Sequence, residues 1–135
     1  MSGWDETADS ALALIIALDQ FPRNMYRGTK AAFAFDEAAL TQAEAMVEKG
    51  WDLKIEQSRR AFVYMPFMHS EDMAAQNECV RLMDSRLDNA NNLHHAIEHR
   101  KVIERFGRFP HRNKTLGRES TAEETAFLKG GGYAP

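Results

Sequence analysis

The stretch from Arg105 to Asn113, RFGRFPHRN, concentrates cationic side chains beside a glycine and a proline. A guanidinium group can hold a carboxylate or a phosphate through two parallel hydrogen bonds, so arginines gathered on turns are typical of anion-binding sites. Arg23 stands beside another proline and extends the same chemistry. The predicted ligand-binding residues are Asp19, Arg23, Arg105, Arg108, His111, Arg112 and Asn113. The arginines could instead pair within the chain, with Asp19, Asp36 or Asp72.

Several groups capable of acid–base chemistry fall on helix faces that are otherwise apolar. On a helical wheel Asp19 and His99 both lie among large apolar side chains. A buried carboxylate needs hydrogen bonds and a cationic partner. For Asp19 the candidates are Arg23, four residues on, and an arginine from 105–112. The candidate catalytic residues are His69, Asp72 and His99, with Asp19 or Asp72 orienting a histidine that acts as general base. The alternative is a closed polar network that ties helices together.

A metal site is a weaker prediction. His95 and His99 are four residues apart, a spacing at which two imidazoles on one helix can share an ion. His69, Asp72 or His111 could complete the ligand set. The local sequence HAIEH does not have the order H-E-x-x-H of a zinc protease. We predict no cofactor.

Composition and missing motifs exclude several classes of function. A net charge of −3 argues against general nucleic-acid binding, which needs a basic face. The longest apolar run, Ala11 to Leu18, is too short to cross a bilayer, and the single cysteine, Cys79, cannot form an internal disulfide. The chain contains no G-x-S-x-G and no glycine-rich phosphate loop. We therefore expect a cytoplasmic protein that binds neither nucleic acid nor membranes.

Helix signals dominate the chain and strand signals are weak. About six helices are expected in one all-α domain over residues 1–135, and the first and third are expected to stop at Pro22 and Pro66. The first helix is apolar on every side, which is typical of a buried helix. Ser70 is predicted to cap the fourth helix, and residues 129–135 are predicted to form a flexible tail.

The prolines suggest how the helices are arranged. Pro22, Pro66 and Pro110 are 44 residues apart and each follows a predicted helix. That interval is close to the length of a helical-hairpin repeat, although the side chains between the prolines do not repeat. A stack of α-hairpins, with or without an internal duplication, is the predicted architecture.

Long segments of the chain resemble the domain-of-unknown-function 924 family. The resemblance is carried by LALIIALDQFPRNMYRGTKAAFAFDEAAL, FVYMPFMHSED and HRKVIERFGRFPHRNKTLGRESTAEETAFL, and it extends over about residues 12–128. It implies an all-α fold similar to a tetratricopeptide-repeat superhelix and implies no activity. The resemblance implies an additional N-terminal segment rich in Trp and Phe, but only MSGWDETADSA precedes Leu12 here, so we expect either a short variant or a start that lies upstream. Loss of that segment would expose apolar surface, so a homo-oligomer is a further expectation.

Two functions are compatible with these residues. The preferred one is a non-catalytic helical scaffold whose arginine-rich groove binds an anionic small molecule or a peptide. The alternative is a small enzyme that acts on an anionic substrate through a His/Asp pair, with or without a metal ion. The position of the histidines distinguishes the two functions. In an enzyme they would line an open cavity, and in a scaffold they would be buried and paired.

Overall fold

The all-α fold is confirmed by the computed structural model, which describes residues 7–132. Over that range it contains seven α-helices, three short 3-10 helices and no strand. The α-helices are α1 (Ala8–Met25), α2 (Asp36–Glu48), α3 (Gln57–Met68), α4 (Met73–Ser85), α5 (Ala90–Phe106), α6 (Asn113–Leu116) and α7 (Ala122–Lys129). The 3-10 helices span Lys30–Phe33, Trp51–Lys54 and Pro110–Arg112. The count of about six helices missed α6, which has only four residues.

Each of the first four helices packs against the next one along the chain, and α1 and α5 also contact α3. This sequential packing is what a stack of α-hairpins requires. The similarity to a tetratricopeptide-repeat superhelix stays a prediction. Within residues 7–132, no helix is both long enough and apolar enough to cross a bilayer.

Two helices continue through the prolines that were expected to end them. α1 runs three residues beyond Pro22 and α3 runs two residues beyond Pro66. A proline removes one backbone donor and disturbs the preceding turn. Near the end of a helix that loss affects few hydrogen bonds, so the last turn still forms. Gly107 ends α5 in the left-handed region, with φ of 71°, where a residue with a Cβ would be strained.

The main hydrophobic core lies between α1, α2, α3, α4 and the start of α5, and a smaller cluster beside it joins Val102, Ile103 and Phe109. The prediction that α1 is buried on every side is wrong. One face of α1, which carries Ala11, Leu12 and Ile15, is buried, whereas Ala13 is exposed. The reason is that α1 packs mainly on α2, α3 and the short 3-10 helices, and these neighbours cover one side of it.

Besides the hydrophobic core, the interior contains a buried polar network that no local sequence pattern indicated. Asp52 is fully buried at the 3-10 helix Trp51–Lys54. Its carboxylate accepts a hydrogen bond from the hydroxyl of Tyr64 at 2.7 Å and pairs with Arg86 at 3.0 Å. These contacts join the α2–α3 connection to the end of α4. They stabilise the scaffold at a distance from the residues predicted to form a site.

Candidate functional site

Two adjoining cavities lie where the end of α1, the end of α3 and the turn before α6 converge. The larger, about 500 Å³, is called the cationic cavity, and it is lined by Arg23, Arg27, Gly28, Ala32, Phe33, His69, His99, His111 and Arg112. The smaller, about 430 Å³, is called the acidic cavity, and it is lined by Phe33, Asp36, Glu37, Leu40, Pro66, His69, Ser70, Glu71, Asp72, Arg112 and Leu116. Both are open to solvent. They meet at Phe33, His69 and Arg112, which line both.

Arg112 is the central side chain of this region and is only 7% exposed. Its guanidinium lies 4.6 Å from the ring centroid of Phe33 and 4.7 Å from that of Phe109. One terminal nitrogen donates to the carbonyl of His69 at 2.9 Å, and the other is 3.9 Å from a carboxylate oxygen of Asp36. Within the described residues Nε is buried and has no acceptor. A buried guanidinium with a spare donor is unusual, because buried polar groups are nearly always hydrogen-bonded.

Burial and the nearby Arg23 lower the pKa of Arg112 to about 10, although Asp36 and Glu71 act in the opposite direction. Arg112 is therefore still charged at neutral pH. Its charge is weakly compensated, because the carboxylate of Asp36 is held by Arg23 through two hydrogen bonds of 2.7 and 3.0 Å. An anion in the cavity would supply the missing partner.

Asp19 is buried as predicted, and of its two candidate partners, Arg23 and an arginine from 105–112, it pairs with Arg23. The side chain of Asp19 is 1% exposed, and its Oδ1 accepts from Arg23 at 3.0 Å. The same oxygen accepts from Nδ1 of His69 at 2.8 Å, and Oδ2 accepts from Gln20 at 2.5 Å. Burial alone would raise the pKa of Asp19, but the hydrogen bond and charge of His69, followed by Arg23 and Gln20, outweigh it, so the pKa lies below its usual value.

The other two histidines of the cationic cavity are neutral. Burial, together with a smaller contribution from the neighbouring charge of Arg112, lowers the pKa of both His99 and His111 to about 4. Nδ1 of His99 donates to the carbonyl of His95 at 2.7 Å, which lies one turn earlier in the same helix. At neutral pH the positive charge of the cavity therefore comes mainly from its arginines.

The structure divides the predicted ligand-binding set. Asp19, Arg23, His111 and Arg112 gather at the cationic cavity. Arg108 lies in another cleft, where it pairs with Glu124 of α7 and donates to the carbonyl of Glu119. Sequence proximity grouped these arginines, but the 3-10 helix Pro110–Arg112 lies between them: Arg108, before it, contacts α7, whereas Arg112, at its end, lines the cationic cavity.

The two remaining members of that set also lie elsewhere. Arg105 is exposed at the end of α5 and stacks on the rings of Phe106 and Phe127, at 4.7 and 5.4 Å. Asn113 is buried, accepts from Arg118 at 3.0 Å and donates to Ser120 at 3.1 Å. The contacts of Asn113 tie the α6 segment together. Neither residue lines the cationic cavity.

The structure assigns Asp72 a different position from the one expected. The sequence placed it inside the first turn of a helix capped by Ser70, but α4 begins at Met73 and Asp72 is its N-cap. The carboxylate of Asp72 accepts from the backbone N–H of Ala75 at 3.1 Å, while the hydroxyl of Ser70 accepts from the N–H of Asp72. Aspartate satisfies a free N–H of the first turn especially well, which explains why it is the cap.

We expect Asp72→Ala to lower the free energy of unfolding by about 1 kcal/mol, the usual cost of losing an N-cap. Anion binding in the cationic cavity should be unchanged, because Asp72 lines only the acidic cavity. Urea denaturation and calorimetric titration with phosphate measure the two effects. A loss of binding with unchanged stability would contradict the assignment of Asp72 as a structural cap.

His95 and His99, the weak candidates for metal ligands, are joined by a hydrogen bond. Nδ1 of His99 donates to the main-chain carbonyl of His95. Over residues 7–132 no three His, Cys, Asp or Glu side chains come together in a way that could hold a metal ion. Cys79 is buried in the main hydrophobic core, and burial raises its pKa to about 12.

Sequence reasoning missed Phe33 and Glu71. Phe33 lies under the guanidinium groups of both Arg23 and Arg112. Glu71 pairs with Arg118 at 2.8 Å and accepts from the backbone N–H of Phe109. No local pattern identifies a phenylalanine as a platform for arginines that are distant in sequence. Glu71 could have been found from the expectation that each buried arginine needs a carboxylate.

Comparison with known proteins gives a family and a fold. The model of the family described as bacterial protein of unknown function (DUF924) matches residues 1–132, a wider range than residues 12–128. A solved structure of a protein of unknown function from Agrobacterium tumefaciens superposes with a TM-score of 0.90 at 47% identity. The match covers 95% of this chain and 72% of that chain. No curated protein matches significantly.

Proposed function

The chain belongs to the domain-of-unknown-function 924 family of bacterial proteins, and we propose that this member binds a small molecule carrying a carboxylate or phosphate in the cationic cavity. The observation that carries the proposal is Arg112, a charged side chain 7% exposed whose Nε has no acceptor within the described residues. A ligand oxygen at Nε would satisfy this donor and neutralise the charge, which gives a charge-assisted hydrogen bond in a partly desolvated site.

The rest of the cavity wall supports an anionic ligand. Arg27 is exposed at the rim, and the described wall contains no carboxylate side chain. Asp19 and Asp36 lie behind Arg23, where they hold it by hydrogen bonds of 2.7–3.0 Å. Arginines fixed in this way lose little side-chain entropy when a ligand binds. The cavity volume, about 500 Å³, fits a metabolite or the end of a peptide.

The test is calorimetric titration of the protein with inorganic phosphate and with succinate, at constant ionic strength. Arg112→Met keeps an apolar stem for packing between the phenylalanines and removes the guanidinium. We expect the dissociation constant to rise by about 10- to 100-fold, which corresponds to one charge-assisted hydrogen bond of about 1.5–3 kcal/mol.

Arg105→Met is the matched control, because it removes the same group from an exposed position outside the cavity. Its affinity should equal that of the wild type. Equal weakening by the two variants would indicate a general effect of net charge and would overturn the proposal, as would wild-type protein that binds neither anion.

A further inference from the structure

We propose that His69 is the general base of a hydrolytic active site in the cationic cavity, acting on a small carboxylic ester that carries a separate anionic group. The inference rests on the proposed anion site and adds a reaction to it. It starts from the hydrogen bond of 2.8 Å between Nδ1 of His69 and the buried carboxylate of Asp19.

The pairing fixes the chemistry of the imidazole. Asp19 is ionised at neutral pH, since its pKa lies below its usual value. An ionised carboxylate can only accept hydrogen bonds, so Nδ1 of His69 must carry the proton. In the neutral ring Nε2 is then the basic nitrogen. The carboxylate also stabilises the imidazolium that forms when Nε2 takes up a proton, which is the role of the acid in an Asp–His pair.

His69 is placed to use that nitrogen. Its side chain is 17% exposed and lines both cavities at their junction, beside Arg112. Its carbonyl accepts from Arg112 and its ring is held by Asp19, so both ends of the residue are fixed. Fixed orientation of a base near the bound substrate is what general base catalysis needs.

The other cavity histidines are less suited to accept a proton. His99 is buried and His111 is half-buried, both near the charge of Arg112, and the pKa of each is lowered to about 4. Nδ1 of His99 donates to a neutral main-chain carbonyl, which stabilises a positive ring less than a carboxylate does. The geometry therefore separates His69 from His99, although both were predicted as candidate bases.

The cavity wall also restricts the reaction. None of its described side chains carries a hydroxyl or a thiol, so the base acts on water rather than on a protein nucleophile. A water proton moves to Nε2 while the water oxygen bonds to the ester carbonyl carbon. The resulting oxyanion faces the guanidinium groups, which stabilise developing negative charge. The bond from carbon to the alcohol oxygen then breaks, and the imidazolium returns the proton to that oxygen, which yields a carboxylic acid and an alcohol.

The experiment follows release of 4-nitrophenol from its succinic acid monoester, with uncharged 4-nitrophenyl acetate for comparison. His69→Gln should reduce kcat by at least about 100-fold and leave KM nearly unchanged. Asp19→Asn should also reduce kcat, because the ring loses its fixed tautomer. His94→Gln is the matched control, since His94 is exposed and lines neither cavity.

Calorimetric titration of His69→Gln with phosphate separates this inference from the anion site. Phosphate binding without any hydrolysis that depends on His69 would overturn the general base and leave the anion site standing. Hydrolysis of the acetate that depends on His69, in protein that does not bind phosphate, would support the base and overturn the anion site. Wild-type rates in His69→Gln would overturn the general base outright.

Discussion

Arg86→Met should lower the free energy of unfolding by about 3–4 kcal/mol, in the lower part of the range of about 3–5 kcal/mol for removing one partner of a buried ion pair. Asp52 is fully buried and Arg86 is its cationic partner at 3.0 Å. Methionine keeps much of the apolar stem of the arginine, so the loss of stability arises mainly from the carboxylate of Asp52. That carboxylate would lose its cationic partner and keep the hydrogen bond from the hydroxyl of Tyr64. Arg86 is 26% exposed, and water can reach part of the vacated space, which places the cost toward the lower end.

The double variant Asp52→Asn, Arg86→Met is the control for this prediction. The asparagine removes the buried charge and still offers an oxygen to Tyr64. We expect it to recover a large part of the stability lost by Arg86→Met, since replacing both members of a buried pair is often close to neutral. Urea denaturation of both variants measures the effect. If the double variant is no more stable than the single one, the uncompensated charge of Asp52 is not the cause.

Asp19→Ala should cost about 3 kcal/mol at pH 7. The substitution removes the acceptor of Arg23, His69 and Gln20 from a position that is 1% exposed. Arg23 retains both hydrogen bonds to Asp36, so the cost stays at the low end of the range for breaking a buried pair.

The stability that Asp19 contributes should depend on pH in a defined direction. Its pKa in the folded protein lies below the ordinary value of 3.8. A carboxyl group with a lowered folded pKa contributes stability that is fully present above its unfolded pKa and is lost as pH falls through the folded one. The difference in unfolding free energy between wild type and Asp19→Ala should therefore be constant above about pH 5 and should shrink below pH 4.

Urea denaturation of both proteins at pH 7, 5 and 3 tests this prediction. Asn24→Ala, a nearby change at an exposed position, should shift the midpoint little at every pH. A constant difference between wild type and Asp19→Ala from pH 7 to pH 3 would contradict the ionised state of Asp19. A difference below 1 kcal/mol at pH 7 would contradict its role in the fold.

Local patterns predicted the elements and part of the site. The burial of Asp19 and its pairing with Arg23 could be predicted, because both residues lie on the same helix, one turn apart. The end of α5 at Gly107 and the capping box that Thr121 and Glu124 form at the start of α7 could be predicted for the same local reason. These features depend on residues within about one helical turn, which a sequence shows directly.

Contacts between distant segments could not be predicted. His69 is 50 residues from Asp19, and Arg86 is 34 residues from Asp52. Such pairs depend on the angles at which helices pack, which no local pattern fixes. Residues 105–113 show the opposite problem. Their arginines are neighbours in sequence and were assigned to one site, but the chain turns within this segment and places them in different clefts.

The central claim is that the spare donor of Arg112 binds an anion, and titration of arginine-Nε-labelled protein with phosphate in ¹H–¹⁵N NMR spectra tests it most directly. We expect the Arg112 resonance, assigned from Arg112→Met, to move downfield and to saturate at the concentration that calorimetry gives. The Nε resonance of Arg81, which pairs with Glu78 outside both cavities, should stay in place. Saturable binding of phosphate with an unmoved Arg112 resonance would contradict the claim.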